Sequence, residues 1–271
     1  MADYQLCFNT STIRPAGLMD KIRAVSEAGW EAIELWLDDV QEHCRAGGTV
    51  ADVRKALRDA GLALPSVIAL KFWSGTEGAE HVAAMDEVKR RFALTAELGA
   101  PSIVVTPTRE TEPIAETGRR YAELLALGDQ FRVKPAFEFI GFFEQYNNIP
   151  IALEAMAAAG RDDSTMVADA FHIFRGEGEM ADLRLVPGER IAIVHIDDAP
   201  GAPDPRAQMD NDRVMPGDGV IDLPEMFNLL REQRYHGPVS LELFSETYWA
   251  RDPFEVAKEG LAKTLEVMPG A

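Results

Sequence analysis

The sequence predicts an α/β protein built as a single-domain (β/α)₈ TIM barrel over residues 1–271, and three observations carry that expectation. Short apolar runs alternate with amphipathic or Ala-rich stretches of helical length, punctuated by Gly or Pro. The apolar runs are mostly continuous rather than alternating, as in parallel strands covered on both faces. Eight such units in ~250 residues match the length of this barrel, and no Pro/Ser-rich linker or low-complexity segment divides them. A doubly wound open sheet is the structural alternative. The turn after the first strand, NTSTIRPAG, holds neither a GxGxxG nor a P-loop, so that fold lacks its usual nucleotide signal.

In chain order the predicted strands are YQLCFN (4–9), AIELWL (32–37), LPSVIAL (64–70), SIVVT (102–106), KPAFEFI (134–140), TMVAD (165–169), IAIVHI (191–196) and PVSLELF (238–244). Helices lie between them. Thr49 and Asp52 have the spacing of a capping pair and start one helix. Another starts at Asp222 and Glu225, with Pro224 in its first turn and Leu223, Met226, Phe227 and Leu230 on one face. Gly29, Gly61, Gly99 and Gly160 stand where helices should stop. The seventh strand runs into His195, Asp197 and Asp198, then into a Pro/Gly/Asp-rich loop that closes with Arg213 and the turn from Pro216 to Gly219.

Lys plus Arg number 27 against 45 for Asp plus Glu, a formal charge of −18 that repels phosphate backbones and anionic membrane surfaces. Neither nucleic acid nor a membrane is expected as a partner. Two cysteines, Cys7 and Cys44, are too few and too far apart for a disulfide scaffold or a CxxC site and read as reduced thiols. MADYQLCFNT has no basic region followed by an apolar core, and no apolar run reaches ~18 residues. A soluble cytoplasmic protein is expected.

Barrel chemistry sits at the C-terminal ends of strands. There the last four strands carry Glu138, Asp169, His195 and Glu242, three carboxylates and one imidazole suited to one divalent ion such as Mn²⁺, Mg²⁺, Co²⁺ or Zn²⁺. Each alone reads equally as a cap, an ion pair or a satisfied core histidine. Three anions in one dry cleft, however, are costly without a cation. Around the four stand candidate substrate contacts. His172 reads as a hydrogen-bond partner or a solvent-facing helix-start residue, and Glu144 as a contact or a loop charge. Arg213 could reach a sugar oxygen or pair with Asp210 or Asp212. Glu34, Trp36, Lys71 and Trp73, at the ends of the second and third strands, offer a wall for a polyol or rim packing. Only Lys71 and Arg213 are cations near the proposed site, which favours an unphosphorylated substrate.

Taken together, FEFIG, VADAFH, VHIDD, DNDRVMPGDGVID and VSLELF resemble the sugar isomerase/epimerase-like (xylose isomerase-like) TIM barrels, most nearly the inosose (2-keto-myo-inositol) isomerases of inositol catabolism. The resemblance runs from LCFN to the final helix and is most specific over the last hundred residues. It implies that Glu138, Asp169, His195 and Glu242 hold one divalent metal and that His172 binds substrate. FFEQYNN is more similar to the loop of ketose 3-epimerases, which implies that Glu144 and Arg213 hold the substrate, and Lys71 stands where the inosose isomerases suggest an apolar residue. Endonuclease IV shares the barrel, but its three-zinc cluster draws histidines from the third and fourth strands and the long loop. IALKFW and VVTPT have none, and Arg213 takes the loop position.

The chemistry expected of such a site is isomerisation of a polyhydroxy ketone, inosose or a ketose, by proton transfer through an enediolate, with Glu138 and Glu242 as base and acid. The alternatives are a ketose 3-epimerase, a dehydratase of a polyhydroxy ketone, and a metal-bearing sugar-binding protein without turnover.

Overall fold

In the computed structural model, which describes residues 4–176 and 178–268, eight parallel strands among those residues close into a barrel in sequence order. They are β1 (Gln5–Asn9), β2 (Ala32–Trp36), β3 (Ser66–Leu70), β4 (Ser102–Val105), β5 (Lys134–Phe137), β6 (Thr165–Asp169), β7 (Ile191–Ile196) and β8 (Pro238–Leu241). β6 and β7 have the bounds expected from their apolar runs. β5 and β8 end three residues early, because Glu138 and Glu242 already belong to the rim, where the chain leaves the ladder.

Side chains alternate across each strand, so every second residue faces the lumen. Ile68, Val104, Ala136, Val167 and Ile193 pack there as an apolar cluster of their own. Their neighbours Val67, Ile103, Phe137, Met166 and Val194 point the other way and join the larger core beneath the helices. Two residues beyond the apolar lumen layer, the same parity yields Glu138, Asp169 and His195. Register sets Asn9 beside Glu34, Asp169 beside His195, and His195 beside Ser240, so the upper lumen is a polar ring seated on an apolar plug.

The helix signals are realised as capped ends. Thr49 and Asp52 form a reciprocal capping box, with Asp52 N donating to Thr49 Oγ1 at 3.2 Å and Thr49 N to Asp52 Oδ2 at 2.9 Å. Asp222 accepts from Glu225 N at 3.0 Å and opens the helix Leu223–Glu232. Gly29, Gly61 and Gly99 close their helices in the left-handed region, and Gly160 takes the same conformation just beyond the helix Ile149–Ala158. No helix of the described residues is long and apolar enough to cross a membrane.

Asp198 organises the long loop. Its carboxylate accepts from the backbone N–H groups of Ala199, Gly217, Gly219 and Ile221 at 2.8 to 3.0 Å, tying the turn Pro216 to Gly219 back to the end of β7. A Cβ on Gly219 would lie 2.3 Å from both Ala199 O and Asp198 Oδ1, so only glycine fits there. This closure delivers Arg213 to the lumen.

Candidate metal centre

Glu138, Asp169, His195 and Glu242 each offer a ligand atom, and these atoms lie within 4.8 Å of one another, with all four residues buried. His195 Nδ1 faces three carboxylate oxygens, Glu242 Oε2 at 3.2 Å, Glu138 Oε1 at 3.3 Å and Asp169 Oδ2 at 3.6 Å, yet none is aligned as a hydrogen-bond partner. The spacing fits a shared cation, since ligands ~2.1 Å from one ion in a tetrahedral set lie ~3.4 Å apart. The other ring nitrogen, Nε2, lies 3.0 Å from Glu34 Oε2, which also accepts from Asn9 Nδ2 at 2.8 Å and Ser240 Oγ at 3.1 Å. A carboxylate behind the imidazole favours the proton on Nε2, which would leave Nδ1 free for a bound cation. Asn9 Nδ2 also donates to Glu242 Oε1 at 2.9 Å, coupling that carboxylate to the same network.

Arg213 lies fully buried over the carboxylates, stacked on Phe171 and Phe244. Its Nη1 donates to Asp169 Oδ2 at 2.8 Å, to Glu242 Oε2 at 3.2 Å and to Asp197. Its Nη2 reaches Asp210 Oδ1 at 2.8 Å and His172 Nε2 at 3.1 Å. Burial opposes charge on Asp169, but the Arg213 guanidinium and the neighbouring imidazoles outweigh it and hold that carboxyl well below the usual range. Burial, backed by the charges of Glu242 and Asp169, pushes Glu138 up to about 7 against the pull of His195. Asp197 is raised by burial and by the charge of Asp169. For His195, burial is outweighed by Glu242 and Glu34 and the imidazole is raised; for His172 burial prevails and it is lowered.

The cleft beside this cluster, about 120 Å³, is lined by Glu138, His172, Arg213 and Glu242 together with Trp36 and Lys71. His172 is placed by Asp169, whose Oδ1 accepts its backbone N–H at 2.7 Å, and its Nδ1 has no partner among the described residues. Two expected contacts are corrected. Trp73 is fully buried outside the lumen and packs on Tyr121 and Phe137 at ring distances of 6.0 and 6.1 Å. Glu144 is exposed and lines a separate surface cavity with Asn147, Arg175 and Arg206. Glu34 is no wall for a polyol either, since it lies beneath His195. Asn9 joins the site as a partner of Glu34 and Glu242, and Asp197 as a partner of Arg213.

The profile of the xylose isomerase-like TIM barrel family matches residues 22–267. The chain belongs to that family. An inosose isomerase of Halalkalibacterium halodurans is 28% identical to this xylose isomerase-like barrel over 273 residues, covering 97% of the chain and 96% of that relative. A 3-dehydroshikimate dehydratase of Pseudomonas aeruginosa is 25% identical over 252 residues, which span 92% of the chain and 39% of that longer protein. The crystal structure of an IOLI protein with a binding zinc atom superposes with a TM-score of 0.90 at 25% identity, covering 97% of each chain. This xylose isomerase-like barrel is an enzyme of the sugar isomerase/epimerase family.

The proton on Glu138 bears on metal uptake. Below about 7 the metal-free site holds that proton, and a cation must displace it to use the carboxylate. Apparent affinity for Zn²⁺ or Mn²⁺ is therefore expected to fall as pH drops below about 7, by roughly tenfold per pH unit for one displaced proton, and more where His195 also gives one up. Titrations of metal-stripped protein between pH values on either side of this point, with proton release followed in two buffers, check the sign. An affinity indifferent to pH would contradict it.

Proposed function

We propose that the protein is a divalent-metal-dependent isomerase of a polyhydroxy ketone, with inosose the first substrate to test. The observation that carries this reading is a pair of buried carboxylates, Glu138 and Glu242, both facing His195 Nδ1 and both lining the cleft. Glu138, Asp169, His195 and Glu242 would hold the ion. When bound, the cation supplies positive charge beside the ketone oxygen, which acidifies the neighbouring C–H.

The chain's own side chains do the rest. One of Glu138 and Glu242 takes the α-proton of the substrate and the other returns a proton to the former ketone carbon, while the proton of the α-hydroxyl passes to the former ketone oxygen. Arg213 offers guanidinium N–H groups to substrate oxygens, and its bond to His172 Nε2 requires that imidazole to be neutral there. Trp36 supplies an apolar wall, with its Nε1 donating to Asn9 Oδ1 at 3.0 Å. A cytoplasmic setting is in keeping with Cys7 and Cys44, both free thiols.

A second reading, loss of water from a polyhydroxy ketone, is favoured by the relationship to the 3-dehydroshikimate dehydratase, since elimination begins with the same proton abstraction. The ketose 3-epimerase alternative retains Arg213 in the cleft but not Glu144. Incubation of the metal-loaded protein with inosose in D₂O tests the proposal. Deuterium is expected at the carbon next to the ketone, and product identity separates isomerase from dehydratase. Tight binding of inosose without any exchange would overturn the proposal for this substrate.

A further inference from the structure

Three cavities meet at Lys71, the residue that follows β3. One is the cleft over Glu138 and Glu242. A larger one of about 460 Å³ continues from that cleft past Lys71, Thr106 and Asp210, and its farther wall includes Ser74, Thr108 and Arg109. A substrate whose ketone lies at the two glutamates has room to extend into this second space.

Lys71 and Arg109 have no carboxylate at ion-pair distance among the described residues. Each has an aromatic ring instead: Lys71 Nζ lies 5.5 Å from the Trp36 centroid, and the Arg109 guanidinium 5.9 Å from that of Phe142. A ring face steadies a cation without cancelling its charge, as a carboxylate would. Most of the acids that line these cavities are engaged elsewhere. Asp38 and Glu87 hold Arg91 at 2.6 and 2.9 Å, Asp210 holds Arg213 at 2.8 Å, and Glu138 and Glu242 face His195. Glu80 and Glu110 also stand on the wall of the larger cavity and limit its positive charge, so the inference turns on Lys71, at the junction. A chain of formal charge −18 repels anions in general, and an unneutralised ammonium at the mouth of its cleft reverses that locally.

We propose that the ketone substrate of this enzyme carries an anionic group, a carboxylate or a phosphate, which Lys71 receives while the ketone lies at Glu138 and Glu242. This rests on the isomerase reading and narrows it to charged ketones, which sets aside neutral inosose as the substrate.

The test compares α-deuterium exchange by metal-loaded protein on fructose, fructose 6-phosphate and fructuronate, three six-carbon ketoses that differ in charge. kcat/KM is expected to be about tenfold or more higher for one of the two anions, the range of one charge-assisted contact. Lys71→Met, which keeps an apolar stem against Trp36, should collapse that anion-to-neutral ratio, and Lys71→Arg should keep most of it. Preference for fructuronate identifies a carboxylate and preference for fructose 6-phosphate a phosphate. A ratio of one or below, or a ratio unchanged in Lys71→Met, overturns the proposal. If no ketose exchanges, the isomerase reading fails for these sugars, and calorimetric binding of gluconate and 6-phosphogluconate against glucitol decides the role of Lys71 separately. A Lys71-dependent preference for either anion supports it, and equal binding overturns it. Metal content is measured in every variant, so that a change in the ratio is not a change in loading.

Discussion

Protein carrying His195→Ala is expected to lose its divalent ion, whereas the parent protein purified without chelator should hold about one equivalent. The imidazole would be the neutral ligand among three carboxylates, and its Nδ1 is the atom around which their oxygens are arranged at 3.2 to 3.6 Å. Without it a cation would keep only three of its four ligands, and Glu34 Oε2 loses its Nε2 contact at 3.0 Å. Removal of one of four ligands typically lowers affinity by orders of magnitude, so dialysed protein should come out essentially metal-free. Asp169→Asn should behave alike, since it removes a charge that both the cation and Arg213 use. His172→Ala is the control. Its Nε2 contacts Arg213, outside the four-residue cluster, so the variant should keep its metal while losing turnover. Metal analysis of the three variants by mass spectrometry, alongside circular dichroism to verify folding, gives the answer. Stoichiometric metal in folded His195→Ala would remove His195 from the centre.

Much of this site is legible in the sequence, because strand parity is simple arithmetic. Glu138, Asp169 and His195 each follow an inward apolar residue by two positions, so side chains ending consecutive strands must converge. The same arithmetic separates Asp197 from Asp198. Asp197 has the parity of His195 and meets Arg213 inside, whereas Asp198 points away and anchors the loop. Glu34 reads as a rim residue because it lies near the end of an apolar run. It shares the parity of Trp36 but sits two residues deeper, which puts it under the imidazole rather than beside a substrate. Trp73 lies beyond the last residue of β3, where parity no longer applies. The backbone turns at Phe72, which has a positive φ of 62°, and carries the indole into the core under β5. Glu144 lies in a loop likewise, and similarity to the 3-epimerase loop says nothing about which way such a loop folds. Asn9 is missed for a different reason. A short amide at a strand end carries no charge signature, and its part is visible only once register sets it next to Glu34 and within 2.9 Å of Glu242.

Glu242→Gln tests whether these carboxylates move the proton. The substitution keeps the shape of the side chain and one neutral oxygen but removes its basicity, so metal occupancy should survive at saturating ion while turnover falls by ~10²-fold or more. Asn9 Nδ2 and Arg213 Nη1 now donate to the two oxygens of Glu242 at 2.9 and 3.2 Å; an amide presents one oxygen in place of two, so some metal affinity is expected to be lost as well. For this reason the comparison is made at saturating metal. Exchange of the substrate's α-deuterium should fall in step with turnover if Glu242 removes the proton. Glu138→Gln carries the complementary expectation. If the two residues divide the work as base and acid, one variant abolishes exchange, while the other slows product formation and leaves exchange intact. Full activity in both metal-loaded variants would show that neither glutamate carries the proton. Asp197, buried against Arg213 with its Oδ1 unpartnered among the described residues, would then be the carboxyl to test.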